Sequence, residues 1–147
     1  EGYSLKIVGM DGNDAEKIGD LSRKIAGIEL LGFVDEKKLA KLYSSCRAFI
    51  YPSFWEGFGM PLLEAMAQGC VCVCTETGAS PEIGGKAVIY VDPCNIDSIA
   101  AGILTTERMG LEARNTMKEL ARARAQSYSF EKYYEKIKNT IQCGFEK

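Results

Sequence analysis

The chain has 147 residues, 46% of them hydrophobic and 26% charged, with 18 Lys and Arg against 20 Asp and Glu for a net charge of -2. This is the make-up of one soluble globular domain over residues 1–147, and no global basic field is available to recruit nucleic acid or anionic lipid. No apolar run approaches the roughly 18 to 20 residues of a membrane span, and "EGYSLKIVG" lacks the basic start and cleavage site of a signal peptide, so a cytoplasmic protein is expected.

Short apolar runs alternate with stretches of helical period, the pattern of crossover units on a parallel sheet. "SLKIVG" (4–9) reads as a buried strand ending in Gly. The loop "DGND" follows, then a helix with Ile18, Leu21 and Ile25 on one face. "IELLG" (28–32) is the next strand. Asp35 is placed to cap a helix whose Leu39, Leu42, Tyr43 and Cys46 follow the i, i+3, i+4, i+7 rule, and "AFIYPS" (48–53) is a third strand. Pro61 opens another helix, which Gly69 ends. "VCVCT" and "AVIYV" (87–91) are the fourth and fifth strands, separated by the turn-rich "ETGASPEIGG".

From Asn95 onward three helices are expected, the last with Ser129 as its cap and with Phe130, Tyr133, Tyr134, Ile137 and Ile141 along one stripe. That stripe packs on its own domain or covers a second one. The expected fold class is therefore α/β, a Rossmann-like parallel sheet of about five strands with helices on both faces.

Six cysteines, Cys46, Cys70, Cys72, Cys74, Cys94 and Cys143, lie mostly in apolar segments, so reduced thiols are expected. Positions 70, 72 and 74 share one strand face. Their ends would sit about 13 Å apart at strand rise, too far for one zinc, and the chain has no His; buried core is the better reading, and no metal is expected.

Open parallel sheets bind ligands at the carboxyl ends of their strands, where "SFWEGFGM" hands the third strand to a helix. Pro61 at the first helical position implies that the N–H groups of about Gly59 to Leu63 face the loop without intrahelical partners, an end that attracts anions. Gly57 and Gly59 flank Phe58 and let a phosphate approach the main chain. Glu64 would fall in the first turn, where the dipole favours negative charge. It serves there as dipole support or as acceptor for a ribose diol, and Glu56 is a loop carboxylate or a ligand. A glycosidase pair is disfavoured, because such a pair needs one carboxyl kept protonated near neutral pH.

"EGFGMPLLEAMAQG" resembles the E-x7-E signature of retaining nucleotide-sugar glycosyltransferases of the GT-B type, in particular the large family-4 group (glycosyl transferases group 1). "LKIVG", "IELLGFVDEKKLAKLYSSCRAFIYPS", "GCVCVCTETGASPEI" and "AVIYVDPCNIDSIAAGI" are similar, in that order, to segments of its nucleotide-binding C-terminal lobe. The resemblance implies that Glu64 binds the ribose hydroxyls. Glu56 contacts the donor sugar as the catalytic carboxylate in a positioning and electrostatic role. The backbone around Gly57, Phe58, Gly59 and Met60 binds the distal phosphate or the sugar, and Val34 touches the base through its main chain.

The resemblance implies a nucleotide-diphosphate sugar as substrate, with no cofactor and no metal. It also implies an N-terminally truncated half of the fold: an acceptor-binding lobe and an earlier Arg and Lys pair that clamps the diphosphate would lie outside this chain. The isolated chain would then be inactive in transfer. Peripheral membrane association of a full-length enzyme is compatible with this reading.

Two other readings stand beside it. One is a noncatalytic module of the same fold that binds a nucleotide sugar or a protein for regulation. The other is a receiver-like or flavodoxin-like domain, for which "VGMDGND" offers only Asp11 and Asp14, residues that turn and cap chemistry already explain. Glu82 in "SPEIGG" is read as a turn or cap carboxylate.

Overall fold

The computed structural model describes residues 2–9 and 15–129, together with Glu131, Lys132, Tyr134, Glu135 and Lys138. Its contacts divide the chain into two compact units, Glu1–Leu39 and Ala40–Lys147. In the first, β1 (Leu5–Val8) runs parallel to β2 (Ile28–Gly32), with Leu5 opposite Ile28, and α1 (Ala15–Lys24) packs on β2. Asp35 accepts a hydrogen bond from Lys38 N at 2.7 Å and so caps α2 (Glu36–Ser45), as the sequence predicts.

The predicted burial of the first strand is not found. Leu5 and Val8 are exposed, as are Leu21 and Ile25 on the stripe of α1. Two strands of four and five residues with one helix offer too little area to cover both faces.

In the second unit, β3 (Phe49–Tyr51), β4 (Cys72–Thr75) and β5 (Val88–Val91) form a parallel sheet in that order, with Tyr51 beside Cys74 and Cys74 beside Tyr90. All five expected strands thus form and all are parallel, as a pair and a triple. The central strand β4 is buried throughout. Cys70, Cys72 and Cys74 are buried free thiols, in line with the core reading of "CVCVC". Burial pushes the Cys74 thiol up to about 12.

Helix α3 (Met60–Ala67) stops where Gly69 takes φ 69°: Gly69 N bonds to Met66 O and Cys70 N to Ala65 O, a paired closure that satisfies the last carbonyls. The stretch read only as turns contains a short helix, α4 (Ser80–Gly84). Its Gly84 lies so near β5 that an added Cβ would come within 2.6 Å of Val88.

Helix α5 (Ile96–Arg108) is capped by Asn95, whose side chain accepts from Asp97 N and Ser98 N, and Gly102 lets it close on Val91 and Val73. Helix α6 (Leu111–Gln126) packs on α3 and α4. There Arg124 donates to the carbonyls of Ile83 and Glu82 at the end of α4, and the Tyr128 hydroxyl donates to Glu82 as well. Lys132 N reaches Ser129 Oγ at 3.4 Å, the cap expected for the last helix. Tyr134 of the predicted aromatic stripe is exposed, while Phe130, Tyr133, Ile137 and Ile141, like Asp11, Asp14 and Cys143, lie outside the described residues. Among the described residues no helix is long and apolar enough to cross a membrane.

Candidate functional site

The loop from β3 to α3 carries Glu56, half-buried and held from several sides. The Tyr51 hydroxyl donates to Glu56 Oε1, and Ser53 Oγ lies 3.4 Å from the same oxygen. Both contacts use Oε1, so Oε2 has no protein donor among the described residues. Burial, then the hydrogen bond to Glu56 and its charge, push the Tyr51 phenol above its ordinary range, which keeps it protonated as a donor.

The main chain is fastened as well. Thr75 Oγ1 donates to the Ser53 carbonyl at 2.6 Å and Ala79 N donates to the Glu56 carbonyl at 3.1 Å. Gly78, at φ 58°, packs so closely that a Cβ would lie 2.5 Å from that carbonyl oxygen.

Gly59 sits at the head of α3 with φ 82° and ψ 43°, a left-handed conformation that favours glycine. Because Gly59 turns the chain there, the helix begins at Met60, one residue earlier than the sequence predicts. Two expectations are corrected by that shift. Leu63 N bonds to Gly59 O at 3.1 Å, so the N–H groups ahead of the first intrahelical bond are those of Gly59, Met60 and Leu62. Glu64 falls in the second turn, and no acidic residue stands in the first.

Glu64 is exposed, and its charge reaches Tyr43 below it, whose phenol is pushed up to about 12 by burial first and by Glu64 next. Tyr43 meets Phe49 edge-on with ring centroids 5.1 Å apart, and Phe49 stacks on Tyr51 at 5.4 Å. Three aromatic rings therefore link the neighbour of Glu64 to the donor on Glu56.

The remaining expected residues are placed as follows. A Cβ on Gly57 would meet open space. Phe58 lies edge-on to Tyr128 at 6.5 Å, half-exposed like Met60. Glu56, Gly57, Phe58, Gly59, Met60 and Glu64 thus belong to one braced segment of the second unit, whereas Val34 belongs to the first unit, buried just before the Asp35 cap.

Sequence reasoning missed the residues that hold Glu56, namely Tyr51, Ser53, Thr75 and Gly78. Their signal was a hydroxyl at the carboxyl end of each of two adjacent strands and a glycine in the next turn. It also missed an open groove of about 340 Å³ lined by Glu76, Thr77, Tyr90, Val91, Asp92, Pro93 and Ser98, at the carboxyl ends of β4 and β5. Among the described residues no group of three or more His, Cys, Asp or Glu is arranged to hold a metal ion.

Parallel strands with crossover helices, and a glycine-turned loop feeding a helix at their carboxyl ends, make this the α/β fold of GT-B glycosyltransferase domains. The chain belongs to the glycosyl transferases group 1 family, whose model matches residues 1–124. It is 47% identical over 77 residues to the O-antigen chain mannosyltransferase B of Escherichia coli, a match covering 52% of this chain and 20% of that protein. Its fold is similar to that of sucrose-phosphate synthase from Thermosynechococcus elongatus, with a TM-score of 0.82 and 22% identity over 97% of this chain and 39% of that one. It is also similar to Anabaena HepE, solved in complex with UDP and glucose, with a TM-score of 0.79 and 21% identity over 95% of this chain and 40% of that one. The chain thus spans only a fraction of the length of these relatives.

Proposed function

We propose that this chain is the donor-binding part of a retaining glycosyltransferase that moves a hexose, mannose by analogy with its O-antigen relative, from a nucleoside diphosphate to an acceptor hydroxyl. The observation that carries this reading is Glu56, fixed through Oε1 by the Tyr51 hydroxyl with Oε2 unengaged, directly ahead of the N–H groups that open α3. Glu56 Oε2 accepts a hydroxyl of the donor sugar and orients its reactive face. Glu64 accepts the ribose diol.

When the bond from the anomeric carbon to the diphosphate breaks, negative charge grows on the leaving phosphate and the sugar becomes oxocarbenium-like. The N–H groups of Met60 and Leu62 stabilise that charge, and no metal is required for it. The acceptor oxygen enters on the face the phosphate leaves, with Glu56 as an electrostatic and positioning group rather than a covalent nucleophile.

The test is a calorimetric titration of UDP, GDP and ADP and their sugar conjugates against this chain and Glu64→Ala. Binding without turnover is expected of the chain by itself. In the variant, affinity for nucleoside diphosphates should fall by about tenfold while affinity for inorganic pyrophosphate stays, since a hydrogen bond to a charged group contributes about 1.5 kcal/mol. Unchanged nucleoside affinity overturns the assignment of Glu64. A noncatalytic nucleotide-sugar-binding module is the second reading, favoured if a full-length protein binds the nucleotide sugar and transfers no sugar to any acceptor.

A further inference from the structure

Cys46 follows α2 and Cys70 leads into β4, and their sulfurs lie 3.1 Å apart, the one thiol–thiol contact among the described residues. The main chain is fixed on both sides of that contact. Cys46 N donates to Leu42 O at 2.9 Å, Cys70 N donates to Ala65 O at 3.0 Å, and Phe49 N joins the two stretches by donating to Val71 O at 2.9 Å. Each sulfur also has a carbonyl within reach, that of Tyr43 for Cys46 and that of Val71 for Cys70, both at 3.4 Å.

Closing such a pair to a sulfur–sulfur bond of about 2.05 Å needs only about 0.5 Å of movement from each sulfur, which a small side-chain rotation supplies. The two thiols differ in access. Cys46 is half-buried, whereas Cys70 is 1% exposed, so an oxidant arriving from solvent meets Cys46 first and finds Cys70 directly behind it. Cys72 and Cys74 lie further along the buried strand face, each about 7 Å beyond the last at strand rise, and make no thiol–thiol contact.

We propose that Cys46 and Cys70 form a reversible oxidation site, a dithiol that a hydroperoxide converts to a disulfide across the base of the segment carrying Glu56 and Glu64. The Cys46 sulfur attacks the terminal peroxide oxygen, the O–O bond breaks, and Cys46 becomes a sulfenic acid while the other oxygen leaves as water or an alcohol with the thiol proton. The Cys70 sulfur then attacks the Cys46 sulfur, the S–O bond breaks, and the hydroxyl leaves as water with the Cys70 proton. Two thiols lose two electrons and the peroxide gains them. The bond joins positions 24 apart and encloses β3, the Glu56 loop and α3. It lies at the amino ends of β3 and β4, away from the carboxyl ends where Glu56 sits, so it staples the segment without entering the site.

The test treats the folded chain, with Cys94→Ser and Cys143→Ser to remove the other thiols outside β4 and its approach, with hydrogen peroxide. The contact with Cys70, then burial, hold the Cys46 thiol above its ordinary value, so it reacts slowly near neutral pH and the treatment runs for hours. Trypsin cuts after Lys41, Arg47 and Lys86, so Cys46 travels in 42–47 and Cys70 in 48–86. The expected product is these two peptides joined, separating on addition of dithiothreitol. The urea midpoint of the oxidised chain should rise by about 1 M and fall back on reduction, since a cross-link over a loop of this length constrains the unfolded chain. Cys70→Ala should lose the joined peptide and let Cys46 go on to sulfinic acid; Cys46→Ser, at the half-buried position, should lose both the joined peptide and the midpoint rise. Both thiols still open to alkylation after peroxide, or Cys46 carried to sulfinic acid with Cys70 present, overturns the site. A joined peptide that persists in Cys70→Ala gives the partner to Cys72 or Cys74 and overturns the pairing, and an unchanged midpoint overturns the staple.

Discussion

Tyr51 decides where the Glu56 carboxylate points. Its ring stacks on Phe49 and its hydroxyl donates to Glu56 Oε1, so the strand that ends at Tyr51 passes its rigidity to a loop residue five positions later. The raised phenol stays protonated across the physiological range, which makes this alignment independent of pH there. Tyr51→Phe keeps the ring and removes only the donor. Because Glu56 is assigned to the sugar and not to the nucleotide, the variant is expected to lose about threefold to tenfold in affinity for a nucleotide sugar, the size of one hydrogen bond, and nothing for the bare nucleoside diphosphate. Calorimetry with the two ligands side by side checks it. Equal losses for both would place Glu56 against the nucleotide instead.

The turn between β4 and α4 braces the site through a glycine with no side chain to give way. Gly78→Ala puts a Cβ 2.5 Å from the Glu56 carbonyl oxygen at a φ of 58°, so either the loop moves or the turn is strained. A loss of about 1 to 3 kcal/mol in urea unfolding is expected, together with weakened nucleotide-sugar binding. Gly57→Ala makes the opposite case. Its Cβ meets open space, so stability should stay within about 0.5 kcal/mol while ligand binding falls, because only a bound ligand fills that space.

The contrast also separates what was legible in the sequence from what was not. Asp35, Asn95 and Gly69 act on backbone groups within five residues of themselves, and such signals are written locally. Gly78 acts on a carbonyl 22 positions away, which no local pattern records. Glu64 was misplaced by one position because only the left-handed conformation of Gly59 reveals that the helix starts at Met60. The burial expected of β1 failed for a different reason: apolar residues state what a strand can bury, not how many elements are present to cover it.

At the scale of the whole molecule, the second unit stores proton-dependent stability at the alkaline end. Burial pushes Cys74 up to about 12 from an ordinary 9.0, and Tyr43 and Tyr90 up to about 12 from 10.0. In each case the folded state holds its proton more tightly than the unfolded chain does. Between those two values the unfolded chain binds fewer protons, so unfolding free energy decreases as pH rises. The contribution is complete below about pH 9, starts to fade as the unfolded thiol ionises, and is gone once pH passes the folded values near 12. Urea unfolding followed by far-ultraviolet circular dichroism at stepped pH, with reductant present, should show this decline. Tyr43→Phe, which removes one titrating group and keeps the ring against Phe49, should make the decline shallower above the ordinary phenol value while costing little at neutral pH. An identical pH slope in wild type and variant would mean that the phenol reaches solvent in the folded state, and with it that the aromatic row between Glu64 and Glu56 is not the closed support described above.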